Sequence, residues 1–178
     1  HAYVRTLGRS GDAENVSVSP ARVAELGVDY FPTNRGGDIT YHGPGQLVAY
    51  PILDLDQYFT DIHKYLRFLE EAVIKTCAEF GVEAGRIDGL TGVWVEIDSG
   101  PQARKICAFG VKASRWVTMH GLAFNVDSDL DFFDLIVPCG IKDRGVTSLT
   151  REVGRKVSLS EVKPILKKHL QALFEWNE

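Results

Sequence analysis

The sequence contains no C-x-x-C or C-x-x-H pair, so the usual spacing of a zinc site is missing and no metal is expected. Its three cysteines, Cys77, Cys107 and Cys139, cannot all pair with one another. That argues against a disulfide scaffold and for reduced thiols in a cytoplasm. No apolar run approaches the ~18 residues of a transmembrane helix. No basic start followed by an apolar stretch marks a signal peptide either, and no membrane partner is expected. Positive charge is not in excess: 20 Lys and Arg stand against 24 Asp and Glu, a net charge of −4. A protein that coats nucleic acid is usually basic, so no nucleic-acid partner is expected. Repeats, low-complexity tracts and long linkers are also missing.

What is present fits one sizeable folded domain over residues 1–178. Hydrophobic residues make up 44% and charged residues 25%, ordinary values for a globular protein. His rather than Met stands at position 1, so a further strand or helix is expected upstream. Charge is uneven along the chain. Residues 139–178 hold 8 basic and 5 acidic residues, a basic quarter on an otherwise acidic protein.

Two long helices are predicted. Over residues 60–80, Ile62, Tyr65, Leu66, Leu69, Val73, Cys77 and Phe80 fall on one stripe, with Gly81 at the stop. Over 159–176, Val162, Ile165, Leu166, Leu170, Leu173 and Phe174 do the same, behind a Ser158–Glu161 capping box. Pro164 should fall near that helix's first turn or shift its start. A short third helix fits residues 20–26, with Ser19 as N-cap and Pro20 at its first position. Strands are expected at 47–53, 92–97, 106–113 and 116–126, the last two as a hairpin turning near Ser114 and Arg115. Strands in runs, without regular helix alternation, indicate an α+β fold with a largely antiparallel or mixed sheet.

Chemistry concentrates in two places. The first is Arg35-Gly36-Gly37-Asp38-Ile39-Thr40-Tyr41-His42-Gly43-Pro44-Gly45-Gln46. Its glycines allow close approach of backbone to a ligand, and its exposed N–H groups suit an anion or a polarised carbonyl. It matches neither common nucleotide-phosphate loop pattern. The second is Pro138-Cys139-Gly140, a cysteine outside regular structure after an apolar run. Cys77 and Cys107 read instead as core residues, one on a helix stripe and one alternating in a strand. A nucleophilic thiol needs a cation or a base nearby, because little of it is thiolate at neutral pH. Lys105, Lys112, His42, His120 and Lys142 are candidates, and spacing does not choose among them. The residues alone reach a thiol-based acyl-transfer or hydrolase site.

Taken together, the segments resemble the lipoyl(octanoyl) transferase family along nearly the whole chain. The resemblance rests on His1 to Gly11, with Thr6-Leu7-Gly8-Arg9-Ser10-Gly11, on Arg35 to Gln46, on Arg104-Lys105-Ile106-Cys107-Ala108-Phe109-Gly110, on His120-Gly121-Leu122-Ala123-Phe124-Asn125 and on Pro138-Cys139-Gly140-Ile141, in that order. Asn34 departs from the Asp usual in the family before Arg35. The resemblance implies a biotin/lipoate protein ligase-like α/β domain, a mixed sheet flanked by helices. It implies transfer of an octanoyl group from octanoyl-acyl carrier protein to a lysine of lipoyl domains in 2-oxoacid dehydrogenase and glycine-cleavage proteins, in the cytoplasm and without a cofactor. By the same likeness Cys139 is the nucleophile and Lys105 its partner. Arg35, Gly36, Gly37, Asp38, Ile39, Thr40, Tyr41 and His42 correspond to substrate-binding positions. So do Ala108, Phe109 and Gly110, and Gly121, Leu122 and Ala123.

Three rivals stand beside this reading. An ATP-dependent lipoate or biotin ligase would share the fold and need no nucleophilic cysteine. A Cys-His thioesterase would pass the acyl group to water. A carrier-binding module would bind without turnover.

Overall fold

The computed structural model describes residues 3–9, 27, 29–135 and 144–175. Nine strands lie among these residues: β1 Val4–Leu7, β2 Asp29–Pro32, β3 Ile39–His42, β4 Gln46–Ala49, β5 Ala84–Ile87, β6 Leu90–Val95, β7 Arg104–Ser114, β8 Val117–Asn125 and β9 Gly145–Val146. Three α-helices accompany them: α1 Ile62–Glu79, α2 Leu149–Val153 and α3 Leu159–Phe174. The result is the expected α+β arrangement with mixed sheets.

The larger sheet runs β4-β8-β7-β6-β5, all antiparallel, with β9 added parallel beside the start of β7. The smaller sheet runs β2-β1-β3 and is mixed. Helices α1 and α3 pack on one face of the larger sheet. Tyr65, Leu69, Val73 and Cys77 of α1 meet Val162, Leu166, Leu170 and Phe174 of α3 over Val93, Ile106, Cys107 and Phe124. Each such fully buried side chain stabilises the fold by about 1.5–3 kcal/mol relative to exposure. A second, smaller cluster joins Ile39, Tyr41 and Phe133.

Local signals set the helix starts. The Asp61 carboxylate accepts from the backbone N–H groups of His63 and Lys64, so α1 begins at Ile62. Ser158 and Glu161 form the expected capping box, which starts α3 at Leu159. Pro164 therefore does not shift the start; it lies in the second turn, inside the helix. Strand β4 stops at Ala49, short of the expected 53, because Pro51 has no N–H for the ladder. The β7–β8 hairpin turns at Arg115 and Trp116, one residue beyond the expected pair, and both adopt positive φ (47° and 60°). Two positive φ values are what a tight hairpin of right-handed twist requires. The expected helix over 20–26 lies outside the described residues.

An ionic cluster that the sequence pattern hid ties α1 to the sheet. Glu70 is fully buried and pairs with Arg67 at 2.6 Å and Arg86 at 3.0 Å. Its second oxygen accepts from the N–H of Gly92 in β6 at 3.1 Å.

Candidate active site

The face of the larger sheet opposite the helices carries a trough. Its floor follows from register. Ala108 pairs with Ala123, and Gly110 with Gly121, so two neighbouring rungs of β7 and β8 carry almost no side chain. The 35–38 loop forms one wall. It docks on the free edge of β7 through the Gly36 N–H, which donates to Val111 O at 3.1 Å. The approach is close: a Cβ on Gly110 would stand 2.8 Å from Gly36 O and 2.9 Å from Arg35 Cδ. Strand β3 continues this wall with Ile39, Thr40 and His42. The cleft measures about 430 Å³ including its open mouth. It shares Thr40, Ala108 and Ala123 with a narrow inner recess, where Lys105, Gln46, Asn125 and Phe133 also line the wall.

Most of the expected binding residues converge here. Arg35, Gly37, Asp38, Ile39, Thr40 and His42 line the cleft, as do Ala108, Phe109, Gly110, Gly121, Leu122 and Ala123. Two others do not. Gly36 serves the docking of the loop on β7. Tyr41 is buried in the smaller cluster, stacked on Phe132 at 5.4 Å, and burial pushes its phenol well above the ordinary range. Tyr50 borders the cleft without having been assigned to it, and His120, one of the candidate partners of the thiol, borders it too. Cys139, and the whole 138–141 turn, lie outside the described residues, as does Lys142. Lys112 lies farther along β7, paired with Met119.

Lys105 reaches the inner recess because of a β-bulge. Trp94 pairs with Lys105, but the next rung pairs Val93 with Cys107. Ile106 is the extra residue, and Ile106 and Cys107 both enter the apolar core. A bulge of this kind breaks the strict alternation of a strand. Without it, Lys105 would share the core face of Cys107 and Phe109; with it, Lys105 joins Ala108 on the trough face. The side chain is 6% exposed.

A buried hydrogen-bonded chain crosses the wall. Arg35 donates through Nη2 to Thr6 O at 2.7 Å and to Thr6 Oγ1 at 3.0 Å. Thr6 Oγ1 lies 3.4 Å from His42 Nε2. His42 Nδ1 lies 2.8 Å from Gln46 Oε1, while Gln46 Nε2 donates to Tyr41 O and Asn125 Oδ1. Gln46 Oε1 must then be the acceptor, so the neutral His42 ring carries its proton on Nδ1 and presents a lone pair on Nε2. Burial lowers the pKa of His42; the Gln46 bond opposes this and Arg35 adds to it. Asn125 extends the chain by donating to Thr147 O at 3.1 Å. Gln46 and Asn125 carried no assigned role in the sequence, although the i,i+4 spacing of His42 and Gln46 around Gly43-Pro44-Gly45 was a visible signal.

At the mouth, His120 Nε2 lies 2.8 Å from Asn34 Oδ1, and the ring meets Tyr50 edge-on at 5.9 Å. His120 holds φ at 61° within a strand. Such backbone is costly for a non-glycine residue and persists where surroundings over-determine it. Burial, then Arg35 and Lys112, lower its pKa. The other two thiols are inert by environment. Burial pushes Cys77 up to about 12 and Cys107 well above its ordinary value.

The fold places the chain among proteins of the biotin and lipoate protein ligase architecture. It is similar to the bi-partite lipoate protein ligase of Thermoplasma acidophilum, with TM-score 0.76 at 20% identity over 99% of this chain and 69% of that one. It is also similar to the biotin protein ligase of Aquifex aeolicus, with TM-score 0.57 at 16% identity over 96% of this chain and 68% of that one. Within that architecture, the sequence makes a narrower assignment. The chain belongs to the lipoyl protein ligase A/B catalytic domain family, whose model matches residues 1–171. It is 62% identical to an octanoyltransferase of Cytophaga hutchinsonii over 98% of this chain and 72% of that protein. It is an acyltransferase.

Proposed function

We propose that the chain transfers an octanoyl group from octanoyl-acyl carrier protein to a specific lysine of lipoyl domains. These are the lipoyl domains of 2-oxoacid dehydrogenase and glycine-cleavage proteins, and the compartment is the cytoplasm. One observation carries this reading. A trough floored by Ala108, Ala123, Gly110 and Gly121 leads inward to the buried Lys105. A narrow apolar floor suits an alkyl chain, each buried methylene contributing about 0.8 kcal/mol. A buried amine at its inner end suits proton transfer.

In this reading Cys139 supplies the nucleophile. Its thiolate attacks the carbonyl carbon of the carrier thioester. A new C–S bond forms to Cys139, the C–S bond to the carrier breaks, and the departing thiolate takes a proton from the Lys105 ammonium group. In the second step, the acceptor lysine attacks the enzyme thioester as a neutral amine. The amide C–N bond forms, the Cys139 C–S bond breaks, and the amine's surplus proton passes to Lys105. A thioester-to-amide exchange is downhill and requires no nucleotide. Arg35, Gly37, Asp38, Thr40 and His42 would bind around the acyl group and its carbonyl, with Ile39, Ala108 and Ala123 as apolar lining.

Intact mass tests the reading. The protein is mixed with octanoyl-acyl carrier protein without ATP, before and after addition of apo lipoyl domain. One octanoyl adduct, lost in Cys139→Ala and passed on to the lipoyl domain, is expected. Transfer only with ATP would make the chain a ligase. Free octanoate without acceptor acylation would make it a thioesterase.

A further inference from the structure

Trp94 is buried, at 1% exposure, yet it belongs to neither apolar cluster. Its neighbours are cations. The Lys105 Nζ lies 4.6 Å from the ring centroid, and the Arg144 Cζ lies 5.8 Å from it. Both distances fall inside the range at which a cation is held by the negative face of an aromatic ring, and tryptophan is the strongest such ring. Among the described residues the indole Nε1 has no hydrogen-bond partner. The residue therefore contributes here through its ring face rather than through its polar tip.

The backbone places the two side chains together. Trp94 and Lys105 are partners in the β6–β7 register, at the rung where the bulge begins. Room for both comes from Gly92, whose φ is 144°. A Cβ there would stand 3.0 Å from Trp94 Nε1 and 3.2 Å from Lys105 Cε. The Gly92 N–H is itself held by the buried Glu70 carboxylate at 3.1 Å. The platform is thus braced from the helix layer.

We propose that Trp94 is the positioning residue for Lys105: its indole face seats the ammonium group at the inner end of the trough. The proposal rests on the acyl-transfer reading above. A lysine stem has four rotatable carbons, and proton transfer needs its nitrogen within hydrogen-bond reach of the reacting atoms. The bulge chooses the face on which Lys105 lies; the ring chooses where on that face its head rests. Arg144 shares the ring at greater distance, so the nearer seat belongs to Lys105.

The test separates ring electrostatics from ring volume. In the full chain, with Trp116→Phe and Trp176→Phe to leave one tryptophan, Trp94 is replaced biosynthetically by tryptophans of increasing fluorination. Fluorine drains the face of the ring while nearly keeping its shape. The rate constant kcat for octanoyl transfer is expected to fall stepwise with fluorine number, with KM for the carrier unchanged. Trp94→Phe is expected to keep most of the rate and Trp94→Leu to lose about tenfold or more. A rate indifferent to fluorination overturns the proposal. If Trp94→Leu fails to fold, the fluorinated series still decides. If the unsubstituted protein transfers no octanoyl group, the acyl-transfer reading falls instead. The fluorine resonance of Trp94 then decides the seating: a shift in Lys105→Met supports it, and no shift overturns it.

Discussion

His42 and Gln46 face each other across the Gly43-Pro44-Gly45 turn, Nδ1 to Oε1 at 2.8 Å, and both are buried. The turn brings the end of β3 against the start of β4, so this hydrogen bond, with that from Gln46 Nε2 to Tyr41 O, ties the smaller sheet to the larger. It also sets which nitrogen of His42 faces Thr6. Replacing Gln46 by Leu removes the acceptor for His42 and the donor for Asn125 and Tyr41 O. Buried groups left unpaired cost about 1–3 kcal/mol each. Urea titration of Gln46→Leu is expected to show a loss of at least ~2 kcal/mol, and imidazole nitrogen shifts should show His42 losing its fixed tautomer. Unchanged tautomer shifts would refute the assignment.

The pH dependence of stability follows from the same histidine. Burial, with Arg35 adding to it, holds the folded His42 below its ordinary value, against the opposing Gln46 bond. In the window between the lowered folded value and the unfolded value near 6.5, the unfolded chain binds more protons. Stability is then present above about pH 6.5 and is lost as pH falls through the window. The slope contributed by His42 reaches at most about 1.4 kcal/mol per pH unit. Urea titrations between pH 7.5 and 5.5 should show this loss, and His42→Asn should flatten it. An equal slope in the variant would remove His42 as the source.

The trough floor predicts chain-length selection. Ala108→Val adds two methyl groups beside Ala123, where Ala108 and Ala123 close the inner part of the floor. Each methylene displaced from an apolar site loses about 0.8 kcal/mol, a factor of about four. Transfer of octanoyl is expected to fall by about tenfold in kcat/KM, while butanoyl transfer changes by less than about twofold. Competition between the two acyl carriers measures the ratio. Equal losses for both chains would place the alkyl group elsewhere.

Glu70 is fully buried between two arginines, one of them about half exposed (Arg67 at 47%). Breaking a buried pair typically costs 3–5 kcal/mol. Arg67 can turn to water in Glu70→Ala, so a loss of about 3 kcal/mol is expected, at the lower end. Glu70→Gln keeps an acceptor for the Gly92 N–H and should lose less. Thermal unfolding of the two variants gives the comparison; equal destabilisation would mean that the Gly92 contact carries little of the cost.

Much of the fold was legible because its signals are local. The stripe through Tyr65, Leu69, Val73 and Cys77 has the helical period, and the Ser158–Glu161 box needs only four residues to close. The β7–β8 hairpin was readable for its alternation, but its turn was displaced by one residue. Arg115 and Trp116 carry none of the glycine or asparagine that usually marks two positive φ values. The segment from Arg35 to His42 was visible as a ligand loop because its glycines stand out in composition. Even so, Tyr41 went to a core cluster beside Phe133 rather than to the cleft, since β3 turns that side chain inward.

By itself, then, the sequence determined the two long helices, the strand runs, the inert setting of Cys77 and the family. Tertiary structure alone decided where Lys105 points. Along the chain, Lys105, Cys107, Phe109 and Val111 alternate as though they shared one face. The extra residue at Ile106 exists only relative to β6, because a bulge is a mismatch between two strands and has no meaning in one. The same holds for the chain from Arg35 through Thr6, His42 and Gln46 to Asn125. Its members come from β1, a loop, β3, β4 and β8, and hydrogen bonds between segments so far apart are written only when the sheets close on each other.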